Sequence, residues 1–411
     1  MRSVSRERPE SCVILLPMKK SIEVSTSIGI SALAIALMIL NAQSTFTGPD
    51  AETYGLQGSS ATTLAFWLDP LSLDANYWPP GIAIIRASVI TFLGENEQGL
   101  QALQVVASIS IAWLAWFMVR RLGSHVRLLT LAAVLFSPAI WWMANNSGYE
   151  VWLSLFLTLS ISLIWMRGPS RPSQWASMSV VGAGLAWGAA FLVQSKVLVV
   201  LPVLLFLAWQ WGRQSRILFI LSALALPIVW AFRNLLITGT PNPISRNGSM
   251  NMWIGNNPQQ LTGGFMEPPA LLIEPIGPLD IYASNALNWW ISQPYDAFAL
   301  LLRKASRLLA PPPTQFDALL PEIRVALTVY TISFTALVLA AFLAYAFGRL
   351  WGVELPKLSP VMWFVVFFFL VHLPFLAEPR FLAPIAPAVI VVAVPTIPTL
   401  FQRRLRVRSS S

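Results

Sequence analysis

The sequence predicts an all-α fold, a polytopic transmembrane helix bundle of about ten spans, and three observations predict it. Apolar residues make up 56% of the 411 residues and charged ones only 11%, too few to cover a soluble domain of this size. Mean hydropathy is +0.64. Uncharged apolar runs of roughly 18–22 residues recur along the chain, the length a helix needs to cross ~30 Å of hydrocarbon. The alternating ten-residue strands that mark a membrane barrel do not occur.

In order, the spans fall at 22–42, 100–119, 127–144, 149–166, 175–193, 197–212, 217–236, 325–348, 360–376 and 381–401. Charge orients them. One side receives 18 of the 27 basic residues, in short loops and tails that include Lys19, Lys20, Arg120, Arg121, Arg213, Arg216 and Arg403, Arg404, Arg406 and Arg408. That side is cytoplasmic by the positive-inside rule, and an even number of spans places both termini there. The net charge of +9 is therefore a topology signal and argues against nucleic-acid binding. Residues 1–21 form a basic cytoplasmic tail, 22–401 the transmembrane module and 402–411 a second basic tail. With Lys19-Lys20 ahead of it and about 20 apolar residues, the first span reads as a retained signal anchor. Cys12 is the sole cysteine, which excludes an intramolecular disulfide.

Two external segments are long. The first, 43–99, contains the apolar stretch 81–93, too short to span and suited to a re-entrant or interfacial helix. The second, 237–324, is rich in Pro, Gly and Asn and carries an amphipathic stretch at 295–309. Arg303, Lys304 and Arg307 form one basic face of that stretch, as in a helix lying in the interface with its cations at headgroup level. Pro311-Pro312-Pro313 ends it.

Ionisable residues at the outer ends of spans are functional candidates, because each is costly there unless paired or hydrated. Asp50 and Glu52 follow the first span, Glu150 opens the fourth, and Lys196 sits at the turn after Gln194-Ser195. Arg233-Asn234 ends the seventh span, and Glu378 and Arg380 flank Pro379. Gathered around one cavity, such groups hold an anionic phosphate beside a base that takes a proton from a hydroxyl. Each also has a plainer role open to it: Asp50 as a solvated loop carboxylate, Lys196 as a snorkelling cation, and Glu378 and Arg380 as a mutual pair. His125 and His372 fall on opposite sides, so they form no joint metal site, and no Walker-type phosphate loop occurs. The sequence shows no required cofactor; a divalent metal at Asp50 and Glu52 stays open with too few ligands in view.

Several strings, in order, resemble the GT-C superfamily of polytopic glycosyltransferases, especially its protein O-mannosyltransferase and lipid A aminoarabinose transferase branch. They are Pro49-Asp50-Ala51-Glu52-Thr53-Tyr54, Tyr77-Trp78-Pro79-Pro80-Gly81, Gly184 through Lys196, and Leu226 through Asn234. Asn247 through Pro258 with Thr262-Gly263-Gly264, Pro294 through Lys304, and Glu378-Pro379-Arg380-Phe381 complete the set. The resemblance implies a GT-C-like bundle in a prokaryotic plasma membrane with its active site outside. It further implies inverting transfer of a sugar from a polyprenyl-phosphate donor to a lipid, glycan or protein acceptor. Asp50 is then the general base, with Glu52 the competing carboxylate. Tyr54, Tyr77, Glu150, Lys196, Arg233, Asn234, Lys304, Glu378 and Arg380 are the substrate-binding candidates. The relatives' Glu-Lys before Pro-Pro is replaced here by Tyr77-Trp78, which removes one lysine contact to phosphate. The rival class is a transporter or flippase of lipid-linked sugars, which calls for a polar track near the midplane.

Overall fold

The computed structural model describes residues 20–41, 49–69, 78–94, 97–145, 148–167, 174–208, 212–243, 247–260, 262–264, 280–310, 321–350 and 357–397. Their regular elements are helical throughout. In chain order they are α1 (Lys20–Asn41), α2 (Pro49–Ser60), α3 (Leu64–Leu68), α4 (Pro80–Leu93), α5 (Glu97–Met118), α6 (Ser124–Leu135) and α7 (Pro138–Asn145). Next come α8 (Glu150–Arg167), α9 (Gln174–Val193), a 3₁₀ turn (Ser195–Val200), α10 (Leu201–Ala208), α11 (Arg213–Thr238) and α12 (Asn247–Gly255). The chain continues through α13 (Asp280–Ser292), α14 (Pro294–Leu308), α15 (Pro321–Leu350), α16 (Ser359–His372), a second 3₁₀ segment (Pro379–Ile385) and α17 (386–397).

Among the described residues five helices are long and apolar enough to cross a membrane: Lys20–Ile39, Glu97–Met118, Arg213–Thr238, Val325–Leu350 and Pro379–Ile397. A sixth span arises if α6 and α7, bent by 45° at their junction, are counted as one. Further predicted spans coincide with shorter apolar helices, Glu150–Trp165, Ser177–Val193, Ser195–Phe206 and Ser359–His372. The protein is thus an integral membrane protein with five or six full-length spans among the described residues, where the sequence predicts about ten.

Helices α5, α8 and α9 occupy the middle, α8 packing on α5 and α9 and α9 on α11. Lipid is as apolar as leucine, so such contacts rest on close packing of small residues and on hydrogen bonds between helices. Ala107, Ala112, Ala115, Ala183, Ala190 and Ala223 are buried accordingly. Ser160 crosses from α8 to donate to the Ala183 carbonyl at 2.9 Å. On the opposite account, Leu221, Ile228, Val229 and Phe232 of α11 and Val325, Ile332 and Leu337 of α15 stand exposed, as side chains facing lipid tails do. Near the predicted cytoplasmic end, Arg127 of α6 binds Glu23 of α1 at 2.6 Å and lies over the Trp116 ring.

The α6–α7 bend has a local cause. Pro138 has no N–H, and the Ile140 N–H turns to the Ser137 hydroxyl at 3.2 Å. Two carbonyls at the break take side-chain donors instead: Trp141 Nε1 binds the Leu135 carbonyl at 2.7 Å, and the Tyr330 hydroxyl, from α15, binds that of Phe136.

The two long segments expected to be external are helical in part. Asp50 and Glu52, expected in a loop, lie in the first turn of α2, which packs on α4. Helix α4, expected at 81–93, runs from Pro80 at its first position to Gly94, whose φ of 78° ends it. Its 14 residues reach ~21 Å, short of the hydrocarbon thickness. The amphipathic helix expected at 295–309 is α14, with Ala297, Leu300, Lys304 and Leu308 inward. Tyr295, Phe298 and Leu302 face out. The basic face is divided, since Lys304 points into the protein and not to headgroup level.

Candidate functional site

Four of the predicted residues converge on the turn between α16 and the Pro379–Ile385 segment. Glu378 receives Arg307 of α14 at 2.9 Å. Across Pro379, Arg380 stands 3.9 Å from Glu150, which opens α8 and is 1% exposed. Lys196, at the start of the 3₁₀ turn after α9, holds its ammonium over the rings of Phe375 and Phe381 at 4.8 and 4.9 Å. The electron-rich faces of those rings attract the cation. The result is alternating charge, Arg307–Glu378 and Arg380–Glu150, with Lys196 beside Arg380.

Tyr54 joins the first external segment to this cluster. It is buried in α2 and meets the ring of Trp78 edge-on at 5.9 Å and that of Tyr149, the neighbour of Glu150, at 6.4 Å. Asp50 lies one turn before Tyr54 in the same helix. The side chains of Asp50 and Glu52, and the whole of Tyr77, lie outside the described residues.

Arg233 and Asn234 work elsewhere. Arg233 donates through Nε to the Trp67 carbonyl at 2.9 Å and again through Nη2, and through Nη1 to Asn234 Oδ1. Its guanidinium lies over Trp230 at 5.0 Å. Asn234 Nδ2 in turn donates to the Asn242 carbonyl at 2.6 Å. Together they fasten α3 to the C-terminal part of α11.

Residues of the strings Asn247 through Gln260 and Thr262-Gly263-Gly264 form a hydrogen-bonded knot. Asn256 Nδ2 donates to the carbonyls of Met252 and Pro374 at 2.6 and 2.7 Å, and Oδ1 accepts from Lys304 at 2.6 Å and from Trp290 at 2.9 Å. Gln260 donates to the carbonyls of Ile254 and Gly264, both at 2.8 Å, and accepts from the Gly263 N–H. Gly263 has φ +77°, and a Cβ there would run into the stem of Lys304. Its carbonyl accepts from the Ala377 N–H at 2.7 Å, which attaches the knot to the Glu378 turn. Lys304 is fully buried and also donates to the Leu373 carbonyl at 3.1 Å. Burial pushes its ammonium down to about 7.

Beside the charge cluster runs an apolar groove of about 340 Å³. Its walls include Phe334, Val338 and Phe342 of α15 with Val366 and Phe369 of α16. Pro379, between Glu378 and Arg380, and Leu308, next to Arg307, also line it. No sequence pattern separates this groove from ordinary lipid-facing surface. Among the described residues, no three His, Cys, Asp or Glu side chains gather as metal ligands.

No family model matches the chain. Undecaprenyl phosphate-α-4-amino-4-deoxy-L-arabinose arabinosyl transferases of Pseudomonas aeruginosa strains LESB58 and UCBPP-PA14 are 28% and 27% identical to it over 196 residues. The match covers 44% of this chain and spans only 35% of the length of those relatives. In structure the chain is similar to the archaeal oligosaccharyltransferase AglB from Archaeoglobus fulgidus, with an inhibitory peptide and a dolichol-phosphate. The TM-score is 0.51 at 12% identity, covering 95% of this chain and 51% of that one. It is similar also to ArnT from Cupriavidus metallidurans bound to undecaprenyl phosphate, with TM-score 0.51 at 14% identity, covering 92% of this chain and 61% of that one. The chain thus has a GT-C-like fold, similar to those of ArnT and AglB. In sequence it is similar to the arabinosyl transferases over that matched stretch.

Proposed function

We propose that the protein is a membrane glycosyltransferase that moves a sugar from a polyprenyl-phosphate carrier to an acceptor at the extracytoplasmic face, with inversion. The observation that carries this reading is the meeting of the charge cluster with the apolar groove. Pro379 and Leu308 belong to the groove, while Glu378, Arg380 and Arg307, their chain neighbours, belong to the cluster. An amphiphile with part of its tail in the groove brings its phosphate to Arg307, Arg380 and Lys196. Binding to such cations favours departure of the phosphate as an anion. The sequence similarity to transferases of an undecaprenyl-phosphate-linked sugar, and the ArnT-like fold, support the same donor class.

Asp50 acts as the general base on the acceptor hydroxyl, with Glu52 as the competing carboxylate. The contact of Tyr54 with Tyr149 supports this, since it brings the helix that carries Asp50 to the residue preceding Glu150. Glu150 orients Arg380, and Glu378 orients Arg307. Tyr54 and Tyr77 border the sugar. Lys304 supports Arg307 from within α14, and Arg233 with Asn234 holds the first external segment over the site.

In this reading the bundle has ten spans, four of them made by the shorter helices Glu150–Trp165, Ser177–Val193, Ser195–Phe206 and Ser359–His372. Both termini are cytoplasmic, and the membrane is a prokaryotic plasma membrane.

The test is incubation of purified protein with a panel of labelled polyprenyl-phosphate sugars, following release or transfer of the label. Turnover of one donor, saturable and lost in Asp50→Asn, is expected. Movement of intact donor across a vesicle bilayer without cleavage makes the protein a flippase and ends the proposal.

A further inference from the structure

Two successive glycines meet two successive turns of α14. A Cβ on Gly263 would come within 2.4 Å of Lys304 Cγ, and one on Gly264 within 2.5 Å of Arg307 Cζ, 2.7 Å of Nη2 and 2.8 Å of Nε. The two positions need glycine for different reasons. Gly263 has φ +77°, a backbone that side chains rarely adopt. Gly264 lies outside that left-handed region, so an alanine fits its main chain and would narrow the unfolded ensemble without strain. What stands in the way of the alanine is one side chain, since the three atoms nearest the missing Cβ all belong to the guanidinium of Arg307. Gly264 itself is fixed by the knot. Its carbonyl accepts from Gln260 at 2.8 Å, and its N–H donates to Thr262 Oγ1 at 3.3 Å. The guanidinium rests on this surface while Nη2 donates to Glu378 Oε1 at 2.9 Å. Nε is buried and makes no hydrogen bond among the described residues. An arginine placed only to satisfy itself would not leave a buried N–H unpaired. Its side chain is still 38% exposed, and its neighbour Leu308 lines the apolar groove.

We infer that Gly264 is a positioning residue, which fixes the plane of the Arg307 guanidinium for the phosphate of the lipid-linked donor. The inference rests on the transferase reading. A solvated arginine samples many rotamers, and ordering it on binding costs affinity. Backed by Gly264 and held at one edge by Glu378, this one is ordered in advance. A guanidinium of fixed plane offers a phosphate two parallel N–H bonds, which a lysine at the same place cannot. The scaffold thus acts on the site through a residue that carries no functional group. G264A changes that plane and little else. Ordinary carbon contact begins near 3.4 Å, so the added methyl pushes the guanidinium back by about 1 Å. No polar group is removed and no charge is altered.

The experiment uses the purified full chain in maltoside micelles with undecaprenyl phosphate as probe. Binding is titrated by calorimetry, and the bound phosphate is followed by its phosphorus NMR resonance. G264A is expected to bind about tenfold more weakly than wild type, with the resonance moved towards that of free probe. Its melting temperature should change little, whereas G263A, strained and pressed on Lys304, should melt lower. In an R307Q background G264A should have no further effect on binding, because the guanidinium it displaces is gone. R307K keeps the charge and leaves Gly264 in place, and it should bind like R307Q. That variant keeps the test open if G264A does not fold. Equal binding by wild type and folded G264A overturns the inference. So does the same weakening by G264A with and without Arg307, which makes the glycine a packing residue. Wild-type affinity in R307K also overturns it, by making Arg307 a point charge. The transferase reading fails separately. Probe binding that depends on both residues, in a protein that turns over no polyprenyl-phosphate sugar, supports the role of Gly264 and counts against the enzyme. Turnover in a protein whose G264A variant binds as wild type does the reverse.

Discussion

The knot around Asn256 and the cluster around Glu150 share the turn from Leu373 to Arg380, yet they treat buried polar groups in opposite ways. In the knot the amides of Asn256 and Gln260 are matched at 2.6–2.9 Å, and Asn256 by itself joins α12, α13, α14 and the Pro374 carbonyl. In the cluster Arg380 and Glu150 stand 3.9 Å apart, and Lys196 rests on two aromatic rings. A saturated network resists exchange and makes a scaffold. Charges of both signs beside a groove, Arg307–Glu378 at 2.9 Å and Arg380–Glu150 at 3.9 Å, present cations to an arriving anion. The most motif-like string in the chain therefore builds the frame, and the proposed reading gives the chemistry to a turn of four residues and to single charges at helix starts.

Five experiments break or sharpen this contrast. The largest effect is expected from Asp50→Asn, which should lower transfer ~10²–10⁴-fold with expression and melting temperature kept. Full activity in the purified variant transfers the role to another group, Glu52 first. Glu150→Gln should cost about a hundredfold in transfer while shifting the melting temperature little, because neutralising a buried carboxylate removes a desolvation cost along with an attraction. The reverse pattern belongs to Asn256→Ala. It strands Lys304 and Trp290, so ~2–4 kcal/mol of stability should be lost in a detergent melt, with turnover per folded molecule changing less. If Asn256→Ala stops turnover in fully folded protein, the division between frame and site fails.

Leu339→Trp, in the groove wall, should raise the KM for long-chain donors several-fold and spare short-chain ones. Equal effects on both chain lengths would separate the groove from donor binding. The smallest effect concerns pH. Lys304 titrates near 7 in the folded protein and near 10.5 once unfolded. Between those values the unfolded chain holds more protons, so this residue makes stability rise with pH, and below about 7 its contribution is flat. Subtracting the melting profile of Lys304→Met should remove that slope; two parallel profiles would place the Lys304 proton elsewhere.

What was legible in the sequence follows the range of the signal. Hydropathy and proline punctuation are local, and they locate the long spans to within about four residues and α4 and α14 to within one. The Glu378-Pro379-Arg380 turn and Lys196 are legible for the same reason, as charges that interrupt apolar runs. Helix α2 is not legible. Residues 49–60 are small and polar with three glycines or prolines among them, and their helix packs on α4, which no window of sequence displays. The seat of Arg307 is hidden in the same way, since it depends on Gly264, far off in the chain. The inward turn of Lys304 was missed because three neighbouring cations look alike until Asn256 selects one of them.

The break at Pro138 has a consequence for α15. A helix among apolar neighbours slides along them at little cost, since one leucine contact replaces another. The carbonyl of Phe136, released where the backbone turns, offers the Tyr330 hydroxyl a single matching height. One proline in one helix thus acts as a depth stop for another almost two hundred residues away in the chain.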